Sequence, residues 1–488
     1  MLFTNNISAI SAEQLIVPIG IILGTVIIFF LSLKPFIKNS LKIGLIVSLA
    51  LILFFSYGHV FDIIDNQFTN FPNFEKHGIL LVVFLIIMLI GLLYLFTKKI
   101  ELENITKIVN GISITLIVLV LFNIGQFYVQ EDFSVTNDGN QFSQKILVEN
   151  DVFKKPNIYY IIPDAYANSK TLQDTLDFDN TKFLSYLENQ GFYIPSQSYA
   201  NYASTFLSVA SSLNMEYINY FSDLGLESKN RQPAAKLTNQ NNIMDFLKSN
   251  GYTIINFDSG AGATRFIDSA DVNLCGKNTI LQSEFMMLII RSSILNPIYV
   301  SIFEDDKRER ILCALEKLPT VNQQYDEPIF VFAHMNIPHP PYLFGPNGEF
   351  TSPETLESGL ENYVKSSYLN QIKFVNKKMI EVVDQIFQNN NGEFIIIIQS
   401  DHGSAFTTDW ENPNKDMLLE RMGILNAYYI SDPEQVNLYD TITPVNSFRT
   451  IFNGYFDSDF KILDDQIFFS NYERPFDFKN VTDQLIED

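Results

Sequence analysis

Basic residues are scarce in this chain. Its 488 residues carry 33 Lys and Arg against 55 Asp and Glu, a formal net charge of −22. The shortage is uneven. Residues 1–129 hold 7 basic and 6 acidic residues, while the remainder holds 26 and 49, a net of −23. So acidic a domain has no bulk charge with which to hold nucleic acid or an anionic lipid surface. The first twelve residues contain no Lys or Arg, and no small-residue cleavage site precedes the next apolar stretch. The first apolar segment therefore does not read as a secretory signal peptide. Cysteine is limited to Cys275 and Cys313. These allow one disulfide in an oxidising compartment and, equally, two buried thiols, because spacing carries no geometry. There is no internal repeat, and the only low-complexity stretch is the turn Asn389-Asn390-Asn391-Gly392.

What is present in excess is apolar length near the amino terminus. Four segments stand out, Leu15–Leu33, Ile43–Tyr57, Ile79–Phe96 and Ile108–Val129. A helix of about 20 residues crosses the hydrocarbon core of a bilayer, so four spans are expected, the second only if it extends to Phe61. The loops fix an orientation. Lys34, Lys38 and Lys42 follow the first span without an acid, and Lys98, Lys99 and Lys107 follow the third. The loop between the second and third has only Lys76, with Asp62, Asp65 and Glu75. The two lysine-rich loops belong in the cytoplasm, which places the carboxyl-terminal domain outside it. The expected organisation is a four-helix transmembrane domain over 1–129, a polar linker over 130–154 and an extracytoplasmic domain over 155–488.

The outer domain alternates strands and helices. Apolar runs at Asn157–Pro163, Tyr252–Phe257, Pro328–His334 and Ile395–Ile398 read as strands, with another at Ile424–Ile430. Helical spacing covers Asn180–Gln190, Thr205–Met215, Ile243–Asn250 and Tyr363–Gln388. This alternation predicts an α/β fold with a mostly parallel, doubly wound sheet. In such sheets sites form at the carboxyl ends of strands. Ile395–Ile398 runs into Gln399-Ser400-Asp401-His402-Gly403, the first strand ends at Asp164, and another ends at His334 with His339 five residues on. Three of the chain's five histidines sit in these clusters, and His59 and His77 lie at the membrane segments. Each cluster alone also fits a helix cap, a packed core residue or a proline-held loop. Together they favour a site. Asp164, Asp401 and His402 would offer two carboxylates and one imidazole to one divalent ion, a mixture that suits Zn²⁺ or Mn²⁺. A nucleophile is available in Asn201-Tyr202-Ala203-Ser204-Thr205. A hydroxyl at a helix amino terminus lies in a positive field that favours its anion, although spacing alone leaves Ser204 and Thr205 open to an ordinary N-cap role.

The ordered set resembles the alkaline phosphatase/sulfatase superfamily, in its membrane-anchored branch that includes phosphoethanolamine transferases and lipoteichoic acid synthases. The matching pieces run from Pro156-Asn157-Ile158-Tyr159-Tyr160-Ile161-Ile162-Pro163-Asp164, through Thr205-Phe206-Leu207-Ser208 and Ile255-Asn256-Phe257-Asp258-Ser259-Gly260, to Ser400-Asp401-His402-Gly403 and Asn446-Ser447-Phe448-Arg449. The resemblance covers roughly Lys155 to Phe456. It implies that Asp164, Asp401, His402 and Thr205 bind the metal and that Thr205 is the nucleophile. It also implies that His339, His334 and Asp258 contact substrate, His339 also serving to protonate a leaving group. The implied reaction transfers or hydrolyses a phospho-group of a membrane lipid or lipid-linked glycan at the outer face of a bacterial cytoplasmic (inner) membrane, with the enzyme a multi-pass protein. The departures are informative. No Cys/Ser-x-Pro-x-Arg motif surrounds Thr205, which disfavours sulfate esters, and no histidine follows His402, which favours one metal over two. Asp164-Ala165-Tyr166-Ala167-Asn168 stands where close relatives are expected to have Gly and Arg. A plain phosphate or sulfate ester hydrolase and a non-catalytic envelope scaffold are the competing readings.

Overall fold

The computed structural model describes residues 2–7, 10, 12–67, 73–97, 101–131, 155–226, 228–260, 262–276, 283–351 and 360–486. In chain order the principal elements begin with helices α1 (Ile16–Leu33), α2 (Ser40–Gln67), α3 (Asn73–Thr97) and α4 (Leu102–Glu131). Strand β1 (Asn157–Pro163), helix α5 (Thr205–Asn214) and strands β2 (Thr253–Phe257) and β3 (Val272–Leu274) come next. Helices α6 (Glu284–Ser292) and α7 (Asn296–Lys317), strand β4 (Ile329–Met335) and helix α8 (Leu360–Asn389) follow. Strand β5 (Phe394–Gln399), helix α9 (Lys415–Met422), strand β6 (Asn426–Ile430) and helix α10 (Pro444–Tyr455) complete the series. The chain divides into two compact units, Met1–Phe133 with Lys277–Asp305, and Ser134–Gly276 with Asp306–Asp488.

The first unit holds four stretches long and apolar enough to cross a membrane, Ala12–Leu33, Ser40–Asp65, Glu75–Thr97 and Leu102–Phe127. At a rise of 1.5 Å per residue each exceeds about 30 Å. Bare side chains such as Ile28, Leu93 and Leu121 project outward from them, a surface suited to hydrocarbon rather than water. The second stretch, short when read as Ile43–Tyr57, is completed by polar flanks. Tyr57 Oη bonds His77 Nδ1 at 3.0 Å and Lys76 pairs with Asp65 at 2.6 Å, tying α2 to α3. One segment departs from the expected boundaries. Residues 277–305, read from sequence as part of the outer domain, group with the four helices. Helix α6 is the reason. Its start is held where Phe285 N donates to Gln14 Oε1 (3.3 Å), and beyond its end Ile294 N donates to Phe54 O (2.9 Å). From residue 132 onward the linker expected over 130–154 lies outside the described residues.

The second unit is built on a six-stranded sheet in the order β3-β2-β4-β1-β5-β6. All pairings are parallel except β5 with β6. The isoleucine run behaves as a strand buried on both faces. Ile396 and Ile398 pack with α7 and α8 residues such as Ile311, Tyr368 and Val375. Ile395 and Ile397 pack on the other face with Val209 and Leu213 of α5 and Phe448 and Phe452 of α10. All four are fully buried, and each contributes about 2 kcal/mol of apolar burial. Register then does the positioning. Ile161 pairs with Ile398, so Asp164 and Asp401, each three residues further on, emerge side by side. On the other side of β1, Ile162 pairs with His334. The first strand is therefore central, and its neighbours' connections leave in opposite directions, the crevice where open α/β sheets take ligands. The edge strand β6 runs antiparallel, a direction that apolar patterning does not encode.

Candidate active site and metal centre

At the end of β1 the chain turns sharply. Asp164 N donates to Met335 O (3.0 Å), and Ala165 adopts φ +63, a left-handed backbone that a side chain tolerates poorly. The turn holds because its amides are used. Ala165 N donates to Asp401 Oδ1 (3.1 Å) and Tyr166 N to Ser400 Oγ (2.8 Å), which stitches the ends of β1 and β5 together. Ser400 Oγ in turn donates to His402 O (2.8 Å). The sequence departure at Ala165 thus falls at a position where glycine would sit without strain.

His402 Nδ1 donates to Gly403 O (2.9 Å), so the lone pair sits on Nε2. That nitrogen faces Asp164 Oδ1 at 3.6 Å, Asp401 Oδ2 at 3.5 Å and Thr205 Oγ1 at 3.1 Å. One ligand atom from each of Asp164, Asp401 and His402 lies within 4.8 Å of the others. Asp164 Oδ1 and Asp401 Oδ2 are buried and accept no hydrogen bond, and His334 Nε2, 3.7 Å from Asp164 Oδ2, is likewise unpartnered. Burial and the neighbouring Asp401 charge raise the Asp164 pKa above the usual carboxylate range. Burial and the Arg421 charge hold His402 down, at about 3, as a neutral ring. Two buried carboxylates and a neutral imidazole aiming empty lone pairs at one point are costly alone and fit a divalent cation. The donor set has the mixed O/N character of a Zn²⁺ or Mn²⁺ site.

Thr205 arrives from the opposite face of the sheet. It is the first residue of α5, preceded by Ser204 in extended conformation with no side-chain cap hydrogen bond. The Thr205 hydroxyl lies 3.1 Å from His402 Nε2 and sits in the positive field of the helix start. Behind it Arg421 of α9 locks the two loops together. Its Nε donates to Ala203 O (2.7 Å) and one Nη to Gly403 O (3.0 Å). Glu420 fixes the loop beyond, accepting from Ser404 Oγ, Phe406 N and Thr407 N.

The histidines from β4 line the other side. His334 Nδ1 and Thr264 Oγ1 are 2.7 Å apart, and Thr264 reaches Ser259 at 2.9 Å. The His339 ring lies 6.3 Å from that of His402, and its Nδ1 donates to Pro340 O (2.7 Å). Asp258 is committed elsewhere. Its carboxylate accepts from Gly260 N (2.8 Å) and pairs with buried Arg310. Sequence reading missed one group here, Lys307 of α7. It is only 5 % exposed, and its Nζ donates to the same Pro340 carbonyl at 2.8 Å. Burial depresses its pKa although Asp164 pulls the other way. Its charge, together with burial, holds His339 down at about 4. Lys307 and Arg310 share one helix face at i, i+3 spacing, a signal available in sequence only once α7 is known to be a helix. Cys275 and Cys313 are disulfide-bonded, Cα–Cα 5.8 Å, tying α7 to the end of β3.

Among solved structures the chain is similar to the C-terminal periplasmic domain of EptC from Escherichia coli in complex with Zn. The identity is 14 %, the match covers 68 % of this chain and 96 % of that one, and the TM-score is 0.45. It is also similar to the periplasmic domain of the phosphoethanolamine transferase EptC from Campylobacter jejuni (14 % identity, 64 % and 94 % covered, TM-score 0.41). A third match is the integral membrane lipooligosaccharide phosphoethanolamine transferase A of Neisseria meningitidis (12 %, 85 % and 82 %, TM-score 0.42). No curated protein matches it. The family model described as Sulfatase matches residues 156–444, more than half of the chain and the whole stretch from β1 to the start of α10. The chain belongs to the sulfatase family.

Proposed function

We propose that this enzyme transfers a phospho-group between envelope lipids or lipid-linked glycans through a covalent intermediate on Thr205, with its second unit outside the cytoplasm. The observation that carries the reading is the Thr205 hydroxyl at the start of α5, 3.1 Å from His402 Nε2 and beside the unpartnered oxygens of Asp164 and Asp401. Asp164, Asp401, His402 and Thr205 would hold one divalent ion. When bound, such an ion supplies positive charge that lowers a hydroxyl pKa and stabilises a transferred phosphoryl group. The lysine pattern of the short loops supports the orientation, and the disulfide fits an oxidising compartment.

In the first step Thr205 Oγ, whose hydroxyl proton would be lost to solvent on binding of the divalent ion, forms the bond to phosphorus as the ester bond to the leaving alcohol breaks, and the protonated His339 ring gives its proton to that alkoxide. Lys307 and the start of α5 offset the charge on the non-bridging oxygens. His339 exchanges protons with the leaving and entering oxygens. Lys307 keeps its ring neutral in the free enzyme, and an anionic substrate offsets that charge, favouring the protonated ring that a leaving alkoxide needs. In the second step the oxygen of the acceptor hydroxyl, or of water if the reaction ends in hydrolysis, bonds phosphorus as the phosphorus–Thr205 Oγ bond breaks, and the ring takes its proton. Asp258 acts through Arg310 as a positioning residue. The test is mass spectrometry of the full-length chain mixed with phosphodiester lipid. An adduct on Thr205, absent in Thr205→Ala, is expected. No adduct, with turnover unchanged in Thr205→Ala, refutes the mechanism. Product release that ignores an added acceptor alcohol identifies a hydrolase.

A further inference from the structure

We propose that Arg231 binds a phosphate carried by the acceptor, beside the phosphoryl group held on Thr205. This deepens the transfer reading above and rests on it. Arg231 precedes the helix Gln232–Asn239 of the second unit and is half-buried. Its guanidinium carbon stands 4.9 Å from the ring centroid of Phe206, the residue after Thr205, and 5.9 Å from that of Tyr472.

Both rings belong to the frame of the metal centre. Phe206 lies in the first turn of α5 and packs against the cluster that holds Ala210 and Phe221. The Tyr472 hydroxyl accepts from Arg421 (3.1 Å), the guanidinium that also bonds the carbonyls of Ala203 and Gly403. The loop around Tyr472 is tied down where Arg474 N donates to Asn471 Oδ1 (2.6 Å) and Asn471 Nδ2 to Glu411 Oε1 (2.9 Å). The two rings hold Arg231 by cation–π attraction, which uses none of its five N–H donors as hydrogen bonds. Among the described residues the guanidinium makes no hydrogen bond and no ion pair. The acids around Tyr472 are taken, Glu473 by Lys229 and Glu411 by Arg474. Stacking at a half-buried position gains about what ordering so long a side chain costs. A guanidinium fixed in this way is preorganised for an oxyanion that takes two donors at once. The chemistry then assigns the anion to the acceptor. A phosphodiester lipid donor brings one phosphate, which goes to Thr205, and what leaves is an uncharged alcohol. The anion that reaches Arg231 therefore arrives with the acceptor, on a phosphorylated sugar or lipid.

The test uses full-length protein in detergent, with the phosphodiester lipid that labels Thr205 as donor and methyl glucoside or methyl glucoside 6-phosphate as acceptor. Wild type should show kcat/KM at least tenfold higher for the phosphorylated acceptor. Arg231→Gln should bring that ratio to within about twofold of one. Arg231→Lys, which keeps the charge and loses the planar fork, should fall between. Lys229→Gln, on an exposed residue already paired with Glu473, should keep the wild-type ratio. In exchange through a covalent intermediate each substrate's kcat/KM reports its own half-reaction, so donor and acceptor effects separate. A wild-type ratio near one, equal losses for both acceptors in Arg231→Gln, or a loss in the donor's kcat/KM alone overturns the proposal. Isothermal titration with methyl glucoside 6-phosphate reads binding without turnover and decides the case where neither glucoside accepts. Saturable binding that Arg231→Gln or Arg231→Lys weakens, about tenfold for the first, upholds the anion site, and no saturable binding to wild type overturns it. If no donor labels Thr205, the transfer reading fails and the titration judges the anion site separately. Labelling of Thr205 with a titration that is blind to Arg231 overturns the anion site alone.

Discussion

Gly403→Ala should destabilise the second unit and loosen the metal centre together. A Cβ at this position would lie 2.2 Å from Glu420 O, 2.5 Å from Gly423 O and 3.1 Å from Arg421 O. Ordinary contact starts near 3.4 Å, so something must move by about 1 Å, and carbonyls at the end of α9 have little freedom. Arg421 is bonded to Ala203 and Gly403, and the Glu420 carboxylate holds the loop after Gly403. The residue that yields is Gly403 itself. It then loses the bond from its N to Arg421 O (2.8 Å), worth about 1 kcal/mol, on top of about 2 kcal/mol of overpacking. A loss of about 3 kcal/mol corresponds to a Tm drop of roughly 5 °C for a unit of this size. His402 must follow its neighbour, and a displacement of about 1 Å exceeds the tolerance of a metal site, roughly 0.5 Å. The assay is built into the chain. Trp410 is the sole tryptophan, and the Arg421 guanidinium stacks over it at 5.0 Å. Its fluorescence follows melting beside the site, and elemental analysis of the same sample gives metal per chain. Gly392→Ala, with nothing within 4 Å, is the control and should match wild type. A Gly403→Ala protein that melts within 1 °C of wild type and keeps its metal would refute the close-packing argument.

Three further outcomes follow from the same geometry. Folding raises the Asp164 pKa to about 7, so the metal-stripped protein binds a proton more readily folded than unfolded. Its Tm should fall as pH rises from about 4 to 7, and saturating divalent cation or Asp164→Asn should flatten that slope. Gln399→Leu would strand the Tyr160 hydroxyl and Asn426 Oδ1 and take one bond each from Tyr428 and Ser447, which keep their mutual bond at 2.7 Å; chemical denaturation should show a loss of about 3 kcal/mol. Cys275→Ser/Cys313→Ser opens a link spanning 38 residues, which chain entropy values at about 4 kcal/mol, and reductant should lower the wild-type midpoint while leaving the double variant unmoved.

The parts legible in the sequence are those where a local pattern fixes the outcome. A run of β-branched residues ends where its apolar burial ends, so Asp401 and His402 could be placed at a strand terminus from Ile395–Ile398 alone. The same argument placed Asp164 and His334. Their convergence needs only that the strands be parallel and neighbouring, and the pairing of Ile161 with Ile398 then brings the carboxylates level. The direction of β6 was not legible, because it depends on where α9 returns the chain. Nor was the membership of residues 277–305, because the nine residues of α6 are too few to span a bilayer and read equally as soluble core.

Lys307 marks the limit most clearly. Its stretch, Glu304-Asp305-Asp306-Lys307-Arg308-Glu309-Arg310, reads as a solvated charge run, the usual fate of such sequences. Two long-range facts reverse that. The disulfide from Cys313 ties α7 to β3, and Arg310, one turn on from Asp306, pairs with both Asp306 and Asp258. With the helix held on that face, Lys307 turns inward to the Pro340 carbonyl, beside His339. A buried ammonium is costly unless something anionic offsets it. Asp164 supplies part of that charge in the free protein, and a cation on Asp164 would take it away. With a cation bound the site would hold a metal and a buried lysine with an excess of positive charge, which the anionic substrate proposed above would balance. The charge deficit of the outer domain as a whole and the positive charge at its centre are thus compatible. The first sets what the surface repels, and the second sets what the crevice accepts.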